Sequence, residues 1–292
     1  MNLSGLGVAM ITPLTLSGKV DYKAIPKIVN HVVEGGAKYL VLMGTTSESP
    51  TLLPQEREKL INAITKENNG RLPMVLGIGG NDTYGVVKKI TATNLDVFEA
   101  ILSVSPYYNK PSQEGIYHHF KHISLASPKP IIVYNVPSRT SSDIEVETFI
   151  RIANDCTNVI GIKEACGDFN KIQQLIKNSP DHIQIVSGDD ALTLPMFFAG
   201  AVGCISVLGN AMPNEISRMM AFAKQQDLKK AYDLQYQLLD MMGLIFEEGN
   251  PTGIKALMEF LGLSTKTVRL PLMNASAILC DKIEQKLHQS VL

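Results

Sequence analysis

Eight short apolar runs, each closing on or near glycine, proline, asparagine or aspartate, recur along this 292-residue chain and constrain its fold more than any other feature. They are LGVAMITPL (6–14), YLVLMGTT (39–46), PMVLGIGG (73–80), AILSVSPYY (100–108), PIIVYNVP (130–137), VIGIKEA (159–165), IQIVSGDD (183–190) and GCISVLGN (203–210). Runs of this length between turn formers read as buried strands. Their starts lie 20 to 34 residues apart, the size of a strand plus a crossover helix, and every gap is long enough for a parallel connection. The intervening stretches Asp21–Glu34, Pro54–Asn68, Ser112–Ala126, Glu145–Asn154 and Phe169–Asn178 carry helical patterning with capping or breaking residues at their ends.

Eight such units within about 220 residues predict the α/β class and a (β/α)8 TIM barrel rather than an open doubly wound sheet. The runs are nearly continuous in Val, Ile and Leu, as expected of strands with helices outside and a packed interior. The expected division is a barrel over residues 1–224 followed by a helical C-terminal extension over 225–292, with helices near Asp227–Phe246, Pro251–Leu261 and Asn274–Leu287. Residues 191–214 contain no charge, long enough to imitate a membrane span. The prolines and glycines inside them, and the switch from ALTLPMFFAG to GCISVL, favour a buried helix, turn and strand.

Charge excludes several partners. With 27 basic against 28 acidic residues and no basic cluster longer than Lys88-Lys89 or Lys229-Lys230, the footprint of a nucleic-acid or anionic-membrane binder is missing. Small molecules and further copies of the chain are the expected partners. Cys156, Cys166, Cys204 and Cys280 form no CxxC pair, which fits a reducing cytoplasm better than a zinc cradle or dithiol site. The opening MNLSGLGVAM lacks the basic region and cleavage site of a secretory signal.

In such a barrel, chemistry belongs to the C-terminal strand ends. Polar residues there are Thr45, Thr46, Asn81, Tyr107, Tyr108, Tyr134, Lys163 and Asp189. Lys163 is the odd member: it stands inside an apolar strand on the pleat face of Gly161 and Val159, and lysine is rarely buried without a purpose. One reading is an ion pair with Glu164 or another barrel carboxylate. The other is a Schiff-base lysine, since an amine withdrawn from water gives up its proton more readily and can attack a carbonyl. Gly161 would leave room for a substrate on that face. Tyr134 belongs to the neighbouring strand, about 4.8 Å away, from which its phenol can shuttle protons. His118, His119 and His122 read as a solvent-facing helix surface rather than zinc ligands, and Gly77, Gly79 and Gly80 as close-packing glycines rather than a phosphate loop.

Together, GTTSESPTL (44–52), SPYYNKPSQEGIYHHF (105–120), YNVPSRT (134–140), GIKEACGD (161–168) and SGDD (187–190) resemble the dihydrodipicolinate synthase / N-acetylneuraminate lyase family, in order and along nearly the whole chain. The paired threonines, YYNKP and YNVPSRT resemble the branch that condenses pyruvate with L-aspartate 4-semialdehyde on the diaminopimelate route to lysine. The resemblance implies that Lys163 forms the pyruvate Schiff base, Tyr134 donates and accepts protons, Thr45 links the tyrosines of a proton relay, and Tyr108 completes that relay from a neighbouring subunit. It also implies that Thr46 and Ile205 meet the pyruvate moiety, that Gly188 lies near the lysine, and that Arg139 gathers the semialdehyde carboxylate. A guanidinium fork suits that last task. The resemblance further implies self-association, since the family usually forms tetramers built as a dimer of dimers, and no metal or organic cofactor.

Two departures from the family pattern stand out, one in a loop and one in a regulatory pocket. Ser47 replaces the usual glycine of TTGES. In lysine-inhibited members an interface pocket carries two histidines and a glutamate where this chain has Pro54, Arg57 and Gly85, although Ser49, Asn81 and Tyr107 remain as an allosteric remnant, so weak or absent lysine feedback is expected. Two other activities fit part of the pattern. A sugar-acid pyruvate aldolase such as N-acetylneuraminate lyase would keep Lys163 and Tyr134 but has no evident need for Arg139. A non-catalytic keto-acid-binding barrel would not need Lys163, Tyr134, Thr45 and Tyr108 together.

Overall fold

Branched aliphatic side chains fill both faces of the strands, so that every residue of Tyr39–Leu42 and of Ile131–Asn135 is buried. The computed structural model describes residues 1–290. Its strands are β1 (Gly5–Ala9), β2 (Tyr39–Leu42), β3 (Met74–Gly77), β4 (Ala100–Val104), β5 (Ile131–Asn135), β6 (Val159–Glu164), β7 (Gln184–Ser187) and β8 (Gly203–Ser206), and they close into a barrel in chain order. The pairing of β1 with β2 and the successive pairings from β3 to β8 are parallel, as the crossover-length gaps require. The eight apolar runs therefore all became strands, and the (β/α)8 expectation holds.

The helices are α1 (Ile25–Glu34), α2 (Pro54–Asn68), α3 (Thr83–Ala92), α4 (Gln113–Ala126), α5 (Pro137–Thr140), α6 (Val146–Asp155), α7 (Phe169–Asn178), α8 (Thr193–Ala199), α9 (Pro213–Lys224), α10 (Leu228–Glu247), α11 (Thr252–Phe260) and α12 (Ala277–Ser290). Side-chain caps set several starts. The Asp82 carboxylate accepts from Tyr84 N, the Ser112 hydroxyl from Gly115 N, and the Asp168 carboxylate from Asn170 N and Lys171 N. The uncharged stretch 191–214 resolves into α8, a turn at Gly200 and β8. No described helix is long and apolar enough to cross a membrane.

The chain divides into two compact units. One comprises Met1–Ser4 and Pro73–Ile205, and so holds β3 to β7, most of β8 and α3 to α8. Its amino-terminal segment is tied in where Leu3 N donates to Gln184 Oε1 at 2.8 Å. The other comprises Gly5–Leu72 and Ser206–Leu292, with β1, β2, α1, α2 and α9 to α12. There α10 packs on α9, α11 and α12, and Asn210 fastens β1 by accepting from Ile11 N and donating to Ala9 O.

One expectation about helix α4 needs correction. His118 and His122 are exposed, but His119 is buried, with Nδ1 at 2.8 Å from Thr83 Oγ1. The helical period turns position 119 toward Ile116, Phe120 and Ile123, which form the buried face of α4.

Candidate active site

Strand register assembles the centre of the site. Across β5 and β6, Tyr134 pairs with Lys163 and Asn135 with Glu164. Alternation then sends Tyr134 and Lys163 to one face and Asn135 and Glu164 to the other. On the first face both side chains are buried, and Lys163 Nζ lies 4.5 Å from the centroid of the Tyr134 ring. A cation over an aromatic face is attracted by the ring quadrupole, and the same approach brings amine and phenol within one small site.

The ion pair between Lys163 and Glu164 does not form. Glu164 Oε1 and Oε2 accept from Asn135 Nδ2 at 3.0 and 3.1 Å, and Oε1 accepts from Cys166 N at 2.8 Å. Burial pushes the Glu164 carboxyl above its ordinary range, opposed by Lys171 and by the Asn135 and Cys166 donors. Asn135 Nδ2 also donates to Asp143 Oδ1 at 2.8 Å, while its Oδ1 accepts from Ile144 N at 3.1 Å. One amide thus ties β6 to the segment just after α5, which carries Arg139. Burial, with help from Glu164, pushes the Cys166 thiol up to about 12, so it is no nucleophile near neutrality. Among the described residues no group of His, Cys, Asp and Glu could hold a metal ion.

Gly161 plays a different part from the one expected. A Cβ on Gly161 would come within 2.2 Å of the Gln184 carbonyl oxygen, so that glycine allows β6 and β7 to approach rather than making room for a substrate. Gly188 stands against the lysine itself: a Cβ there would lie 2.9 Å from Lys163 Cε and 3.1 Å from Cγ. Any larger residue at 188 would displace the Lys163 stem.

Ile205 is buried in β8, and Arg139 is exposed on α5. Tyr107 is partly exposed, whereas Tyr108 is 88% exposed with φ +74°, an unusual backbone for a tyrosine. Asn81 offers its carbonyl to Asn109 Nδ2. In the second unit, Thr45 and Thr46 open a short turn after β2, with Thr45 exposed and Thr46 buried, and Ser49 starts the next turn. Thr46 Oγ1 accepts from Asn250 Nδ2 at 3.0 Å. Ser47 Oγ donates to Met10 O at 2.7 Å while Thr12 Oγ1 donates to Ser47 O at 2.6 Å, so the serine fastens its loop to the end of β1. No local sequence pattern marks Asn250 or Arg269, whereas Lys255 interrupts the apolar TGIKALMEF as Lys163 interrupts VIGIKEA.

A closed parallel barrel with a buried lysine beside a tyrosine defines a class of enzyme that can hold a carbonyl substrate as an imine. The match to a family model is more specific: residues 2–290 fit the dihydrodipicolinate synthetase family, and the chain belongs to it. A 4-hydroxy-tetrahydrodipicolinate synthase of Flavobacterium psychrophilum is 49% identical over 280 residues, 96% of each chain. The crystal structure of dihydrodipicolinate synthase from Aquifex aeolicus superposes with a TM-score of 0.94 at 37% identity over 99% of both chains. That of the chloride-inhibited Acinetobacter baumannii enzyme, complexed with pyruvate, gives 0.95 at 34% identity over 99% of both.

Proposed function

We infer that the chain carries the activity of these relatives, condensing pyruvate with L-aspartate 4-semialdehyde, through a Schiff base on Lys163. The observation that carries the residue assignment is the buried Lys163 amine, 4.5 Å from the Tyr134 ring centroid, with Gly188 against its stem. The amine attacks C2 of pyruvate, and loss of water gives an iminium that draws electrons from C3. Loss of a C3 proton yields the enamine, whose C3 attacks the aldehyde carbon of the semialdehyde. The product's amino group then attacks C2, closes the ring and expels Lys163 by transimination. No metal or organic cofactor enters these steps.

Protons must move at each stage. Tyr134 serves as the central donor and acceptor, with Thr45 and Tyr108 as its relay. Tyr108 acts from a neighbouring copy in a tetramer built as a dimer of dimers. The support is its exposure and strained backbone, since a tyrosine held 88% exposed at φ +74° gains little within its own chain. Thr46 and Ile205 meet the pyruvate moiety, and Arg139 receives the semialdehyde carboxylate. Residues 1–224 serve as the catalytic barrel and 225–292 as its helical extension. The four free thiols favour a reducing, cytoplasmic setting.

Steady-state turnover with pyruvate and either L-aspartate 4-semialdehyde or N-acetylmannosamine tests the acceptor. Turnover with the semialdehyde alone is expected, and Arg139→Ala should raise its KM. Preferential turnover of the sugar would make the chain a sugar-acid aldolase, and none with either would favour the keto-acid-binding barrel.

A further inference from the structure

Buried polar groups that the scheme above leaves unused gather around the threonine loop in the second unit. Lys255 on α11 and Glu48 form an ion pair in which both side chains are essentially inaccessible to solvent. Lys255 Nζ also donates to Thr267 O at 2.8 Å, and Glu48 Oε2 accepts from Arg269 N at 2.8 Å. Burying two charges is favourable only when their remaining hydrogen bonds are made, as they are here. Glu48 itself has φ +52°, a conformation that persists only where its surroundings enforce it. The preceding residue, Ser47, is held to Met10, just after β1, and Asn250, just before α11, donates to Thr46 Oγ1. Three successive residues, Thr46, Ser47 and Glu48, are thus each fixed by a different partner.

The bond to Thr46 differs in kind from the other two. Anchoring the loop requires only that some group be bonded there, but an amide NH2 has protons and no acceptor site. Thr46 Oγ1 must therefore accept from Asn250 Nδ2, and its own proton must point to another oxygen. A carboxylate is such a partner, and a hydrogen bond to a charged acceptor is stronger than one between neutral groups. We propose that Asn250 is a positioning residue that holds the Thr46 hydroxyl as a donor to the keto-acid carboxylate, with the Lys255–Glu48 pair locking α11 to the threonine loop. This rests on the reading in which Thr46 meets pyruvate.

Kinetics of Asn250→Asp test the proposal, because the isosteric carboxylate accepts the Thr46 proton instead of directing it to substrate. The pyruvate KM should rise about tenfold or more, the worth of one hydrogen bond to a charged group, while kcat and the semialdehyde KM change much less. Thr46→Val should raise the pyruvate KM comparably, and the double variant should add little to either. Asn250→Ala, which removes the donor without adding an acceptor, should give a smaller rise and serves as the readout if the aspartate variant does not fold. A folded Asn250→Asp protein whose pyruvate KM stays within about twofold of the parent, or a fully additive double variant, would overturn the role of Asn250. An unchanged pyruvate KM in Thr46→Val would instead overturn the reading of Thr46, and the proposal with it.

Discussion

Lys163 and Lys255 both interrupt apolar runs, yet their surroundings prepare them for different work. Lys255 is matched by Glu48 and a carbonyl, and burial lowers its affinity for a proton while the Glu48 carboxylate opposes that shift. Lys163 faces an aromatic ring, and the nearest acid in sequence is turned to the opposite face and taken up by Asn135. His119 supplies a pH test at the same scale. Burial lowers its pKa to about 4, outweighing the field of Asp82, so between pH 6.5 and 4 the unfolded chain binds a proton that the folded chain refuses. Its contribution is therefore lost as pH falls through this window, by about 2 kcal/mol between pH 7.5 and 5. Urea unfolding at those two pH values should show that loss in the parent protein and a reduced one in His119→Gln; equal losses would contradict it. Lys163 and Tyr134 were legible in the sequence because a polar residue in an apolar strand stands out. Asn250 and Glu48 were not, since their partners lie some 200 residues away and leave no local pattern.

Elements bring such distant residues together, and the loop after β2 depends on α11 for its shape. Lys255→Met should leave the Glu48 carboxylate buried without its cation and cost about 3–5 kcal/mol, lowering the melting temperature by about 10 °C. Adding Glu48→Gln should restore much of that loss, because the stranded charge is then gone; a Lys255→Met protein melting with the parent would contradict the buried pair. The same scale explains where the expected helix ends shift. The last helix was expected at Asn274–Leu287 but runs Ala277–Ser290, because Glu248 accepts from Ser276 N and Oγ and so sets a start that depends on tertiary structure. By contrast α2 matches its expected bounds, since Pro54, the Glu56 contact to Leu53 N and the turn at Asn69 are all local signals.

At the scale of the whole molecule, the regular recurrence of apolar runs made the parallel barrel legible, because each crossover must span the same distance. The division into compact units was not legible: the first four residues join Pro73–Ile205, and the C-terminal helices join β1 and β2, through contacts distant in sequence. Regulation belongs to this scale too. Arg57 and Gly85 offer no carboxylate to an effector's ammonium group, and a Cβ at Gly85 would crowd Asp82 Oδ2 at 2.6 Å. L-lysine should therefore inhibit turnover weakly or not at all, and inhibition at submillimolar lysine would contradict that expectation. The covalent step on Lys163 underlies the whole account, and borohydride reduction in the presence of pyruvate tests it most directly. Peptide mass spectrometry should find the reduced pyruvate adduct on Lys163, and none in Lys163→Arg. An adduct on another lysine, or none on folded protein, would contradict the Schiff-base mechanism.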